Sequence, residues 1–153
     1  MSSSTSIACR NVPAEARRAI GWVAVGVAVA LCWHYLTKAS TAYLLDLDVY
    51  REAAAVAWDG GDLYGQVYTD VGLPWLYPPF AILFLTPISV LSDVSAQIVW
   101  TAITLASVIV FAVVCVWNFA ADRFHTLPVY ASTIAFTLMM EPTESNINFG
   151  QIN

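Results

Sequence analysis

Six carboxylates crowd into one polar interval of this chain: Asp46, Asp48, Glu52, Asp59, Asp62 and Asp70. The interval, Asp46 to Phe80, holds a single base, Arg51, and seven aromatics: Tyr50, Trp58, Tyr64, Tyr68, Trp75, Tyr77 and Phe80. Carboxylates of this kind serve as general bases when they face a reacting hydroxyl. An arginine among them fits a phosphate oxygen or a neighbouring carboxylate. Tyrosine and tryptophan belong at the boundary between water and lipid. The combination points to a site at a membrane surface.

Composition supports that placement. Hydrophobic residues make up 59% of the 153 and charged residues 11%, against about 25% charged in a soluble domain, and the mean hydropathy is +0.67. So few charges cannot cover a water-facing surface. The net charge of −5 excludes a nucleic-acid partner, which needs a basic stripe. Cys9, Cys32 and Cys115 are scattered and suggest neither a metal nor a redox pair. No HExxH, Gly-rich phosphate loop or GxSxG is present, so no metal or other cofactor is called for.

The elements that must hold the polar interval are apolar runs. Residues 1–16 read as a disordered cytoplasmic tail, and 17–153 as a transmembrane domain that is incomplete. Ala19–Leu36 follows Arg17 and Arg18 and reads as an uncleaved span, with the N-terminus cytoplasmic by the positive-inside rule. The external loop covers about residues 39–76 and carries a short interfacial helix over Val49–Trp58, with Asp48 as its N-cap and Gly60 and Gly61 as its stop. Pro78 and Pro79 open the next apolar run, which ends at Leu91. It is short for a roughly 30 Å core. A spanning reading is preferred over a re-entrant one, and it puts the C-terminal tail on the cytoplasmic side. Ala96–Ala121 and Leu127–Met140 supply further segments. The expected fold is an all-α polytopic membrane protein with three to four transmembrane helices, in the plasma membrane.

Four short motifs stand in order: DLDVY at 46–50, GGDLY at 60–64, LYPPF at 76–80, and EP followed by GQIN over 141–153. Together they resemble glycosyltransferase family 87, the polyprenol-phosphate-mannose-dependent α-1,2-mannosyltransferases with the GT-C fold, over about Leu44 to Asn153. Members of that family are longer, so the chain resembles an N-terminal part, expected to be inactive on its own. The resemblance implies a polyprenol-phosphate-linked sugar donor, a lipoglycan acceptor and a membrane-lipid environment. It implies inverting mannosyl transfer with Asp46, which matches the family's loop acid, as the base. Inversion by single displacement needs only one base, unlike the two-carboxylate retaining hydrolases.

The residues themselves leave plainer roles open. Asp46 also reads as a solvated acid ending a span, and Asp48 as a cap more than a base. Arg51 suits the lipid phosphate or a pair with Glu52 or nearby acids. Tyr77, with the Pro-Pro-Phe after it, begins a helix at the interface or shapes the donor groove. Glu141 is functional if it lies within the membrane and merely solvated if it lies at the surface. Gln151 and Asn153 belong to the last motif and are counted with the substrate-binding candidates. The alternative to an enzyme is a small membrane bundle whose acidic loop binds a partner or a cation, with a transporter subunit behind it.

Overall fold

The computed structural model describes residues 13–121, 124 and 126–151. Six helices and one two-stranded hairpin follow in the order α1 (Ala14–Ala39), α2 (Leu45–Trp58), β1 (Val67–Tyr68), β2 (Leu73–Pro74), α3 (Ala81–Ser89), α4 (Asp93–Phe119), α5 (Leu127–Met139) and α6 (Glu141–Phe149). Helix α1 starts at Ala14, inside the stretch expected to be a disordered tail; residues 1–12 lie outside the described residues.

Helices α1 and α4 are long and apolar enough to cross a membrane. At 1.5 Å per residue they rise about 39 and 40 Å. Most of their apolar side chains point outward, Trp22, Val29 and Trp33 on α1 and Val110, Phe111 and Trp117 on α4. Such a surface in water would be a liability; in lipid it matches its solvent. Helix α5, 13 residues long, packs between them. Small residues bring the backbones close, as expected where helices meet in lipid. Ala28, Ala131 and Ala135 are buried, and a Cβ on Gly21 would lie 2.7 Å from the Pro128 ring. Near the other end, the Tyr35 hydroxyl donates to the Leu138 carbonyl at 3.1 Å.

These two contacts orient the bundle. Gly21 with Pro128 places the start of α1 beside the start of α5. Tyr35 with Leu138 places the end of α1 beside the end of α5. The six acids of the polar interval then collect at the Ala39 end, where α2, the hairpin, α3 and α6 form a cap.

Helix α3 is short. It has nine residues, about 14 Å of rise, less than half a hydrocarbon core of about 30 Å. Both of its flanks return to adjacent residues of α2. Tyr77 before it meets the Tyr50 hydroxyl at 2.9 Å, and the Leu91 carbonyl after it accepts from Arg51 at 2.8 Å. Ile82, Leu85 and Ile88 are its buried stripe and join the core of α2. Pro87 sits inside the helix, where it removes one backbone donor. The segment thus begins and ends beside α2, and α6 lies at the same end of the bundle as the acidic loop, opposite Arg17 and Arg18.

Helix α2 also begins earlier than its polar residues suggest. Leu44 is the N-cap, without a side-chain cap bond, so Asp48 is not the cap. Burial explains the difference. Leu44 and Leu47 are 2% and 0% exposed, and burying each leucine stabilises by about 1.5–3 kcal/mol, more than the roughly 1 kcal/mol of a cap. Asp46 and Asp48 fall instead in the first turn, where the helix dipole favours negative charge. The helix ends as expected. Gly60 has φ +74, its N–H reaches the Ala57 carbonyl, and that of Gly61 reaches Val56. The two bonds form a Schellman motif.

The stretch after it contains the hairpin, an addition to the all-α expectation. Val67 pairs with Pro74 and Tyr68 with Leu73. Glu52 of α2 accepts the Thr69 N–H at 2.8 Å and ties the turn to the helix.

Candidate active site at the polar end of the bundle

Helix α2 is the centre of the polar end. Tyr50, 2% exposed, stacks edge-on against Trp75 and Tyr77, with centroids at 6.1 and 5.3 Å, and lies 6.0 Å from Trp100 of α4. The Tyr77 carbonyl accepts from the Tyr64 hydroxyl at 2.9 Å. This joins GGDLY and LYPPF to DLDVY through one aromatic cluster. The fourth motif arrives from the far end of the sequence. Gly150 takes φ +72, and a Cβ there would lie 3.0 Å from Leu47 Cβ and 3.2 Å from Leu44 Cβ. The loop after α6 is therefore seated on the first turn of α2, and Lys38 bonds Asn148 at 2.9 Å beside it. All four motifs meet at one end of the bundle.

Within that end the sequence-derived candidates fare differently. Asp46 lies in the first turn of α2, half-buried. Among the described residues no hydrogen bond or ion pair occupies its carboxylate. Asp48 is committed: its Oδ1 lies 3.6 Å from Arg51 Nη1. Burial pushes the Asp48 carboxyl above its ordinary value, against the opposing pull of Arg51, and the negative charges of Asp93 and Glu52 add to the rise. Arg51 is committed too. Nη1 holds Asp93 at 2.8 Å and Nη2 holds the Leu91 carbonyl at 2.8 Å. Its partners are Asp48 and Asp93, and Glu52 is engaged with the hairpin instead.

Tyr77 shares its hydroxyl with Tyr50. Glu141 opens α6 and is exposed. Gln151 follows Gly150 and lines a cleft with Trp100 and Asn146. Asn153 lies outside the described residues. The structure thus gathers Asp46, Asp48, Arg51, Tyr77 and Gln151 around α2, with Glu141 at the opposite end of α6 from Gly150. No group of three or more potential metal ligands exists among the described residues.

A family model decides the kinship. That of glycosyltransferase family 87 matches residues 75–153. The chain belongs to glycosyltransferase family 87.

Curated relatives agree. A polyprenol-phosphate-mannose-dependent alpha-(1-2)-phosphatidylinositol pentamannoside mannosyltransferase of Mycobacterium tuberculosis (strain CDC 1551 / Oshkosh) is 32% identical across 99% of this chain and 37% of its own length. The alpha-(1-2)-phosphatidylinositol mannoside mannosyltransferase of strain ATCC 25618 / H37Rv is 30% identical over 86% of this chain and 34% of its own. A pentamannoside enzyme of Mycolicibacterium smegmatis is 32% identical over 94% and 36%. The chain therefore spans between 29% and 37% of the length of the relatives it matches. No solved structure matches it.

Sequence reasoning missed two contacts at this end of the bundle. Asp93, 80% exposed at its side chain, reads as an ordinary first-turn acid of α4, and nothing in the sequence signals a pairing 42 residues away. Trp100 reads as an end-of-span aromatic; its contact with Tyr50 is visible only in three dimensions.

Proposed function

We propose that this chain forms the Asp46-bearing part of a membrane mannosyltransferase that takes mannose from a polyprenol-phosphate donor. The acceptor in this reading is a phosphatidylinositol-mannoside glycolipid, a closer description than lipoglycan. The family and the names of the relatives support the donor and acceptor classes. The observation that carries the role of Asp46 is its unengaged, half-buried carboxylate at the point where all four motifs meet.

The chemistry is one displacement. An acceptor hydroxyl oxygen attacks the anomeric carbon of the mannose as the bond from that carbon to the phosphate oxygen breaks. The lipid phosphate leaves with the electron pair, and the Asp46 carboxylate takes the hydroxyl proton. A phosphate is a good leaving group and needs no strong acid. Arg51 anchors α2, and Asp93 is the exposed partner that a donor phosphate would displace from it. Tyr77 fixes α3 against α2 and shapes the donor side, while Glu141, Gln151 and Asn153 belong to the segment that closes over α2. The protein is a multi-pass protein of the plasma membrane, with Arg17 and Arg18 at the cytoplasmic face and the acidic end outside.

The test is Asp46→Asn in the polypeptide at its natural length, assayed in membranes for transfer of labelled mannose to glycolipid. Asparagine keeps the size and cannot accept the proton. General-base catalysis contributes about 10²–10⁴-fold, so turnover should fall at least about a hundredfold at unchanged protein level. Asp48→Asn should do far less, since Asp48 is already held by Arg51. Near-normal turnover in Asp46→Asn would remove the base from this reading.

A further inference from the structure

At the end of the bundle away from the acids, α1 overhangs α5. Gly21 meets Pro128. Helix α1 begins about two turns before that contact, at Ala14, whereas α5 begins just before Pro128, at Leu127. The overhang is about 10 Å. Ala14, Arg17, Arg18 and Gly21 are spaced three and four apart, so they share the face of α1 that α5 approaches. Ala14, Arg17 and Arg18 line an open pocket of about 610 Å³ there, with Thr126, Pro128 and Val129 opposite. Its charge has one sign. Among the described residues neither guanidinium has a hydrogen bond or an ion pair. No acid lines the pocket, and Glu15, in the same turn as Arg17, pairs with neither arginine. The N-termini of α1 and α5 both open here, each equivalent to about half a positive charge. The Thr126 side chain, at the N-cap of α5, makes no capping bond. Two cations and two positive helix ends without a counter-charge are complementary to an anion.

The rest of the wall is apolar, with Ile20 and Phe124 beside Pro128 and Val129. From Ile20 an exposed stripe continues along α1 through Val23 and Val27, into the part of the helix that lipid surrounds. A soluble anion gains nothing from such a wall, whereas each methylene of an acyl chain buried on it adds to binding. Basic pockets between spans at the end of a bundle suit anionic lipid headgroups for this reason. The pocket is separate from the candidate active site: from Arg18 to the Ala39 end, α1 rises about 30 Å.

We infer that this pocket binds an anionic diacyl phospholipid. The phosphate lies between the Arg17 and Arg18 guanidiniums, whose planar forks suit its oxygens, and one acyl chain follows Ile20, Val23 and Val27. The inference needs α1 in a membrane and is independent of the transferase reading.

The test is native mass spectrometry of the detergent-purified protein with phosphatidylglycerol and phosphatidylcholine of identical acyl chains. Phosphatidylglycerol should bind about tenfold more tightly, the worth of one charge-assisted hydrogen bond. Arg17→Gln combined with Arg18→Gln should remove that preference. Ala14→Trp should remove it too, because the indole fills the pocket and leaves both charges in place. Lys38→Gln, at the far end of α1, should keep it. A phosphatidylglycerol with a diazirine in one acyl arm should label residues 20–27 of the unaltered protein, a measurement that needs no variant. Equal binding of the two lipids, or labelling that avoids residues 20–27, overturns the inference. A preference that survives Ala14→Trp, or is lost in Lys38→Gln, also overturns it and leaves only diffuse surface charge. So does release of the lipid by an excess of inorganic phosphate, which would make this a site for a soluble anion.

Discussion

Replacing Gly150 by alanine should loosen the polar end more than the same change at Gly60. Two separate costs follow from the structure. The first is backbone: at φ +72 a side chain costs about 1–2 kcal/mol. The second is packing: the new Cβ would lie 3.0 Å from Leu47 Cβ, 3.2 Å from Leu44 Cβ and 3.4 Å from the Leu47 backbone nitrogen. None of these atoms is the end of a flexible side chain, so α6 must retreat from α2, and overpacking of this sort costs about 1–3 kcal/mol. The sum is about 2–5 kcal/mol. Gly60 isolates the first part: its φ is +74 and nothing lies within 4 Å of its Cβ position, so Gly60→Ala should cost only about 1–2 kcal/mol. Gly26, with open space and a helical conformation, should be unharmed or gain up to about 1 kcal/mol. Thermal unfolding in mild detergent, followed by tryptophan fluorescence, ranks the three variants. If Gly150→Ala unfolds no earlier than Gly60→Ala, the contact between the last motif and the first is not the close one described.

Other expectations follow from the same end of the molecule. The Asp48 carboxyl is raised in the folded state, so its ionisation disfavours folding. Stability should fall as pH rises from the ordinary aspartate value through the raised one, and Asp48→Asn should flatten that slope in a series of unfolding scans. With the native cysteines replaced by alanine, Asp70→Cys should react with a membrane-impermeant thiol reagent in intact cells and Ala121→Cys should not; the opposite pattern would invert the orientation. Residues 1–153 expressed alone should transfer no mannose from a polyprenol-phosphate donor, because α1, α4 and α5 cannot enclose a donor and an acceptor together, and measurable turnover by the purified chain would refute this.

Much of this architecture is legible in the sequence, because lipid imposes a coarse code. Long apolar runs mark α1 and α4, and the contrast of six acids between them marks the polar end. Asp46 stands out for the same reason, as the first acid after a span. The start of α2 is not legible, since Asp48 carries a strong local capping signal while Leu44 and Leu47 act through partners distant in sequence. Pro78 and Pro79 mark a helix start correctly, yet the fate of the run after them depends on Tyr50 and Arg51, which hold both its flanks. The hairpin escapes because two residues per strand show no periodicity. The seat of Gly150 on Leu47 escapes because nothing in GQIN points to a partner so far back in the sequence.

The closure of α6 on α2 also sets an order of assembly. Tyr35 and Leu138 are 103 residues apart, and Lys38 and Asn148 are 110. Contacts of such separation form late, because the intervening chain must first give up its freedom. While the chain is being made, α2 and its acids wait at the membrane surface with Leu44 and Leu47 uncovered on the α6 side. The polar end becomes rigid only once Gly150 has been synthesised and docked, so a ribosome that stalls before that residue leaves an inserted bundle with its first motif unclosed.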